Sequence, residues 1–310
     1  MSKTSVIIPT HNRPERLPRA VESARMAGRD VEVIVVDDAS TDQTAQVCRS
    51  LNGIKYVRVD RNQGVAGARN IGLMHSEAEY VTFLDDDDLR IPGSIDLQIR
   101  ALSEKTKAGF ACGGMIIVDQ DYQPTGAVTH PGYPSGDVFW HLLEFDFPAM
   151  GLSTLIRKEC FLRAGLYRKR LDGIDDWDML VRLAEIYQAV VIPEPMGIYR
   201  QPTAQSGQGS SSYAALLYRV AQHQKQLFKL PRVTGAPNKT KRAVRRGTLN
   251  RISDTLLARA AFLMARGELG LAAENIKVAL RLRPSRACRP QSYLKLAQLW
   301  LTRPHMLYSS

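Results

Sequence analysis

Five of the six residues in Val31-Glu32-Val33-Ile34-Val35-Val36 are apolar and β-branched. A strand with one wet face alternates polar and apolar residues, whereas a run this continuous reads as a strand covered on both faces, as in parallel sheets with helices above and below. Strand-like runs at 5–9, 55–59, 80–84 and 110–118 alternate with helical patterns near 14–27, 42–51, 65–76 and 93–105, and Pro14 and Pro92 stand where proline favours a first helical turn. The alternation predicts βαβ units, and so an α/β, Rossmann-like, mainly parallel sheet flanked by helices. Further strands are expected at 153–157 and 189–193. Gly173-Ile174-Asp175-Asp176-Trp177-Asp178 should open an amphipathic helix through Ile186.

Parallel strands deliver their carboxyl ends to one edge, and three of these ends are polar. The first strand leads into Pro9-Thr10-His11-Asn12-Arg13, the second into Asp37-Asp38-Ala39-Ser40-Thr41-Asp42, and the fourth into Asp85-Asp86-Asp87-Asp88. Ligands of open α/β sheets bind outside such ends. Four adjoining carboxylates repel one another unless a cation is held there, and Mg²⁺ or Mn²⁺ takes one or two carboxylates plus substrate phosphates. The run therefore predicts a metal and a phosphorylated substrate. An EF-hand loop counted from Asp85 would need glycine where Arg90 stands and glutamate where Asp96 stands, which sets that rival aside. The glycine-bearing segment Gly64 to Gly72 leads into a helix whose amino terminus, with Arg69, suits phosphate.

Charge divides the chain. Residues 1–210 carry 23 Lys+Arg against 28 Asp+Glu, and residues 211–310 carry 19 against three, so an acidic body precedes a basic tail. A basic surface attracts phospholipid headgroups, nucleic acid or acidic glycans. Aromatics are sparse around Lys239, Lys241, Arg242, Arg245, Arg246 and Arg251, unlike the grooves that bind single strands. An anionic membrane surface is thus the expected partner of the C-terminal helices, and nucleic acid is disfavoured. Residues 201–212 read as a linker, and the chain beyond them reads as helical, with a tetratricopeptide-like hairpin near 256–284. Apolar strand material begins at Val6, no stretch reaches about 18 uninterrupted apolar residues, and the four cysteines are scattered. These features predict a cytoplasmic chain without signal peptide or membrane span.

In register, these elements resemble the family 2 glycosyltransferases, which have the GT-A fold. The resemblance lies in Val6-Ile7-Ile8-Pro9-Thr10-His11-Asn12-Arg13, Val35 to Asp42, Gly64 to Gly72, Phe83 to Asp88 followed by Pro92, and Asp175 to Asp178. It implies a catalytic domain at 1–205, with a nucleotide-sugar half to about 119 and an acceptor half from about 120, before a basic helical region at 206–310. It further implies metal-dependent, inverting transfer of one sugar from a nucleotide-diphosphate sugar, UDP-linked by preference, to a hydroxyl of a glycan or lipid-linked acceptor in bacterial surface polysaccharide synthesis.

Roles carried over by the resemblance are specific. Asp38 would accept the N3–H of uracil, since an ionised carboxylate only accepts. Pro9, Thr10, His11 and Arg13 would hold the donor, and Arg69 would meet its base or diphosphate. Asp87 would contact Mn²⁺ or Mg²⁺, with Asp85 completing the Asp-x-Asp pattern and Asp85 or Asp86 serving the ribose or a nearby water. Asp88 would cap the helix near Pro92. Asp176 would be the general base, with Asp175 the alternative because the family's usual pair is Glu-Asp. Trp177, Trp140, Tyr133 and Phe147 offer apolar faces to an acceptor or pack in the core.

Two family elements are missing. Tyr199-Arg200-Gln201 lacks the histidine that often follows the last strand, and no Gln-x-x-Arg-Trp element of processive synthases is present, so transfer of one sugar is expected. The alternatives are a sugar-nucleotide nucleotidyltransferase, which should carry a Gly-rich basic loop after the first strand, and a non-catalytic membrane- or polyanion-binding protein.

Overall fold

A computed structural model describes residues 3–130, 134–145, 151–201 and 212–284. The chain forms two compact units, Met1–Leu142 with Phe147–Arg200, and Leu143–Asp146 with Gln201–Ser310. In the first, β1 (Thr4–Thr10), α1 (Leu17–Met26), β2 (Val31–Asp37), α2 (Thr44–Ser50), β3 (Ile54–Arg58), α3 (Gly64–His75) and β4 (Tyr80–Phe83) follow in order. They build the parallel block β3-β2-β1-β4. Strand order reverses at β1, so the crevice beyond β1 and β4 is the topological switch point.

The chain continues through β5 (Leu89–Arg90), α4 (Ser94–Ser103), β6 (Ala108–Val118), β7 (Pro124–Thr129), α5 (Phe139–Leu143), β8 (Thr154–Arg157), α6 (Phe161–Ala164), α7 (Asp175–Ile186) and β9 (Gln188–Arg200). The sheet extends as β4-β8-β6-β9-β5, with β7 on the flank of β6. Here β8 is antiparallel to β4 and β6, and β9 runs parallel to β6. β7 lies where the sequence shows no strand pattern, because its small residues alternate only between exposed and half-buried. β9 is one strand across Pro193 and Pro195, and its register with β6 shifts near Gly114, as proline in a strand requires.

Alternate residues of β1 and β2 serve opposite faces. Val6, Ile8, Val33 and Val35 pack in one cluster with Leu17, Val21, Ile95 and Leu102 from α1 and α4. Ile7 and Val36 face α3, where Gly72 lies against them. The polar exception in the run, Glu32, accepts the hydroxyl of Ser5 on β1. A Cβ at Gly72 would stand 2.3 Å from Ile7 Cγ2 and 3.2 Å from Val36 Cγ2. Gly72→Ala should therefore cost about 1–3 kcal/mol by overpacking, measured as a lower midpoint in urea, with Gly270→Ala, which meets nothing within 4 Å, as the neutral control.

Among its described residues the second unit is helical, with α8 (Tyr213–Leu227), α9 (Pro231–Thr234), α10 (Asn238–Ala265) and α11 (Leu269–Leu282). Ser212 Oγ caps α8 by accepting from Ala215 N. The amide of Gln224 donates to Leu143 O at 2.8 Å and to Thr248 Oγ1 at 2.5 Å, tying Leu143 to α8 and α10. α10 and α11 pack through Ala260, Leu263 and Ala272 on either side of a turn with Gly267 at φ +77. Among the described residues no helix is long and apolar enough to cross a membrane.

Candidate active site

Strand register gathers the site: Thr10 pairs with Asp37, while Leu84 N donates to Ile7 O, so the loops after β1, β2 and β4 leave the sheet side by side. The first two are knitted together, Asn12 N donating to Ser40 Oγ at 3.0 Å and Thr41 N to Asn12 Oδ1 at 2.8 Å. Both turns use the left-handed region, Asn12 at φ 55 and Ala39 at φ 61. Alanine there costs roughly 1–2 kcal/mol, so neighbours enforce the shape. Asp37 is part of that enforcement. Wholly buried, it accepts Ser40 N, Tyr56 OH and Arg58 Nη1. Burial pushes its pKa up, but these bonds outweigh burial and hold it low.

Asp38 is buried, and its Oδ1 accepts Gln63 N at 2.7 Å. Burial raises its pKa. His11 Nδ1 lies 2.8 Å from Asp38 O. At the amino terminus of α3, Gln63 N donates to Asp38 Oδ1 and Gly64 N to Asn62 Oδ1 at 3.0 Å, so these two amides are engaged within the chain.

The four aspartates separate. Asp85 goes to Arg69 Nη2 at 2.8 Å. Asp86 accepts Thr10 Oγ1 at 2.7 Å, and its other oxygen meets Arg13 Nη1 at 2.8 Å. Asp87 Oδ2 meets that same Arg13 nitrogen at 2.9 Å and lies 3.9 Å from Arg200 Nη1. Asp88 accepts Arg200 N at 2.8 Å. This corrects the capping role of Asp88: β5 intervenes, and α4 starts at Ser94 behind Gly93, with no side-chain cap. Burial lifts the carboxyls of Asp86 to about 6, of Asp87 upward against the pull of Arg13, and of Asp88 well above the usual range.

Asp86 and Asp87 thus aim two hard oxygens at one point now held by a cation, which fits a divalent metal. Among the described residues no three His, Cys, Asp or Glu side chains form a ready ligand set. Such a site suits a metal that keeps waters and takes substrate phosphates, not a closed protein cage. The sequence pattern paired Asp85 with Asp87, whereas Asp86 shares this point and Asp85 turns to Arg69.

Arg69 is 4% exposed and links the acidic run to α7. Its Nη1 donates to Asp175 Oδ2 at 2.5 Å and Asp176 Oδ1 at 2.7 Å. Burial opposes its charge, but Asp176, Asp175 and Asp85 raise its pKa well above the ordinary value. In this state Arg69 pairs with acidic strand and helix ends. Asp175, Asp176 and Asp178 lie in the first turn of α7, whose N-cap Ile174 makes no side-chain capping bond. Asp176 is also held at Oδ2 by Gly151 N at 3.0 Å and by the buried Tyr167 side chain. Burial raises both carboxyls, Asp175 to about 7. The Asp176 side chain keeps 21% exposure against 5% for Asp175, so Asp176 is the more accessible of the two carboxyls.

Several supporting groups escaped the sequence. Tyr167 lies in a stretch without periodic pattern, and Gly151 acts through its backbone, which no residue type signals. Tyr122 OH donates to Asp87 O at 2.9 Å, and Arg19 and Arg200 stack over its ring. Trp177 is core, donating from Nε1 to Leu142 O at 2.6 Å. Tyr133 and Phe147 lie outside the described residues. The basic cluster thins: Arg245 binds Ala221 O and Gln224 Oε1, Lys241 binds Thr234 O, and Arg251 faces Glu144, leaving Lys239, Arg242 and Arg246 exposed.

Residues 5–169 match the family profile described as Glycosyl transferase family 2. The chain belongs to that family. It is 39% identical over 117 residues to a Campylobacter jejuni GalNAc(5)-diNAcBac-PP-undecaprenol beta-1,3-glucosyltransferase, covering 36% of this chain and 37% of that protein. It is 30% identical over 134 residues to the Escherichia coli UDP-Glc:alpha-D-GlcNAc-diphosphoundecaprenol beta-1,3-glucosyltransferase WfaP, covering 42% and 53%. The chain therefore spans only about a third to a half of these relatives. A mannosyltransferase from Pyrobaculum calidifontis, solved in complex with GDP-Man and Mn²⁺, superposes with TM-score 0.57 at 20% identity over 99% of this chain and 83% of that one. The family 2 chain thus has the GT-A fold expected of it.

Proposed function

We propose that this family 2 protein is a metal-dependent, inverting glycosyltransferase that moves one hexosyl or hexosaminyl residue from a nucleotide-diphosphate sugar, UDP-linked by preference, to a hydroxyl of a lipid-linked or polymeric glycan. The observation that carries it is Arg69, which touches Asp85 at the end of β4 and Asp176 on α7. A donor corner and a basic carboxylate are thereby parts of one site, as transfer between two substrates requires.

In this reading Asp38 and His11, at the mouth of β1 and β2, receive the base and ribose. Asp87, with Asp86, holds Mn²⁺ or Mg²⁺. When bound, the metal offsets charge developing on the departing nucleoside diphosphate. Arg69 keeps Asp176 oriented by Oδ1 while Gly151 N fixes Oδ2, and Asp176 takes the acceptor hydroxyl proton as that oxygen attacks the anomeric carbon from the opposite face. The names of the C. jejuni and E. coli relatives, both referring to undecaprenol-linked substrates, support a lipid-linked acceptor. Its synthesis would serve a bacterial surface polysaccharide. The decisive experiment is a screen of nucleotide sugars with Mn²⁺ that reads nucleoside diphosphate release; release of pyrophosphate instead would point to a nucleotidyltransferase.

The pH dependence has a defined sign. Asp176 works only when ionised, and burial among like charges raises it together with Asp175, which lies at about 7. The two titrate as a pair. Below the pair's apparent pKa, kcat should fall about tenfold per pH unit, and it should level off above. A kcat profile flat from pH 5 to 8 would remove the base assignment.

A further inference from the structure

A single nitrogen of Arg13 stands where two carboxylates converge. Its Nη1 donates to Asp86 Oδ1 at 2.8 Å and to Asp87 Oδ2 at 2.9 Å. The two aspartates are not free to follow it elsewhere: Thr10 holds the second oxygen of Asp86 at 2.7 Å, and Tyr122 OH holds the backbone of Asp87 at 2.9 Å. Arg13 sits differently, on the loop between β1 and α1, with its side chain 21% exposed against 5% and 13% for its partners. A long stem open to solvent on one side can swing out without disturbing the core.

The neighbouring Arg200 cannot substitute for it. Its backbone is tied to Asp88, its Nε donates to Gln120 O at 2.7 Å, and its guanidinium lies over Tyr122. Its Nη1 is buried without a hydrogen-bond partner, 3.9 Å from Asp87 Oδ2. It is a fixed positive group beside the corner.

A divalent cation bound by the same two oxygens would lie about 2.0–2.1 Å from each, inside the volume that Arg13 Nη1 fills. Guanidinium and metal at that separation repel strongly in a poorly solvated site. Occupancy is therefore exclusive. We propose that Arg13 is a displaceable stand-in for the metal: it neutralises Asp86 and Asp87 while no donor is bound, and it yields the position when a nucleotide diphosphate arrives with the cation. A diphosphate gives the released guanidinium a new anionic partner, with the bidentate geometry that arginine favours. The exchange makes metal binding depend on nucleotide and spares the empty site a cluster of unpaired buried charge. This inference rests on the reading of Asp86 and Asp87 as metal ligands.

Mn²⁺ binding tests it without turnover, by electron paramagnetic resonance of the free aqua ion, in wild type, Arg13→Ala, Arg13→Gln and Arg13→Lys, each with and without UDP or GDP. Wild type should bind Mn²⁺ weakly alone and at least about tenfold more tightly with nucleotide, a difference of about 1.4 kcal/mol. Arg13→Ala and Arg13→Gln, having lost the competing charge, should bind Mn²⁺ alone about tenfold more tightly than wild type, so that the nucleotide enhancement shrinks. Arg13→Lys keeps a charge and should stay near wild type. The stand-in role is overturned if the two neutral variants bind Mn²⁺ alone no more tightly than wild type while all forms still gain on adding nucleotide. Absence of Mn²⁺ binding in every form, nucleotide included, instead overturns the metal reading itself.

Discussion

Asp176→Asn should lower kcat by about 10²- to 10⁴-fold, the usual contribution of a positioned general base, while leaving the protein folded. The substitution keeps an oxygen for Gly151 N, and Arg69 retains Asp175 and Asp85. Removing a carboxylate whose ionised form is disfavoured by burial relieves repulsion with Asp175 and Asp85. The thermal midpoint should therefore stay or rise as activity falls, and the acidic limb of the kcat profile should vanish from the residual rate. Asp175→Asn supplies the contrast. Asp175 is only 5% exposed and is held by Arg69, so in the proposed reading its loss should act through the orientation of Arg69 and cost less. A larger loss in Asp175→Asn than in Asp176→Asn would exchange the two roles.

The second large effect is expected at Asp87. In the proposed reading Asp87→Ala should reduce turnover by about 10³-fold or more, because the metal that would offset charge on a departing diphosphate would lose a ligand, and raising Mn²⁺ should not restore it. Unfolding would not explain the loss. Asp87 is a half-buried carboxylate raised by desolvation and by Asp85 against the pull of Arg13, so its removal lightens the charge load, and Arg13 keeps Asp86 at 2.8 Å. Equal kcat at saturating Mn²⁺ in wild type and variant would sink the assignment. Calorimetric titration of Mn²⁺ with UDP present separates a lost metal from a displaced one.

Much of the fold was legible because burial leaves marks on composition. The β-branched run at 31–36 needed cover on both faces, and Ile7 and Val36 against α3, with Val6 and Val35 against α1, show how it is covered. The antiparallel half was less legible. β7 offers small, half-exposed residues with no core face to impose a pattern, and the prolines of β9 look like breaks although the strand absorbs them by slipping register on β6. In the site, acidic residues at strand ends announced themselves by type and place. Their partners did not, since Gly151 serves by its backbone amide and Tyr167 by a contact spanning unpatterned chain.

By itself the sequence determined the parallel block, the edge on which polar strand ends gather, and the family to which those ends belong, since each comes from local composition and spacing. Only tertiary structure decided how the aspartates divide: Asp85 with Arg69, Asp86 and Asp87 on Arg13, and Asp88 at the end of β9. Four identical neighbours carry no local signal that distinguishes them. Which cation each one meets depends on side chains brought from 13, 69 and 200, and on the burial that makes each pairing matter.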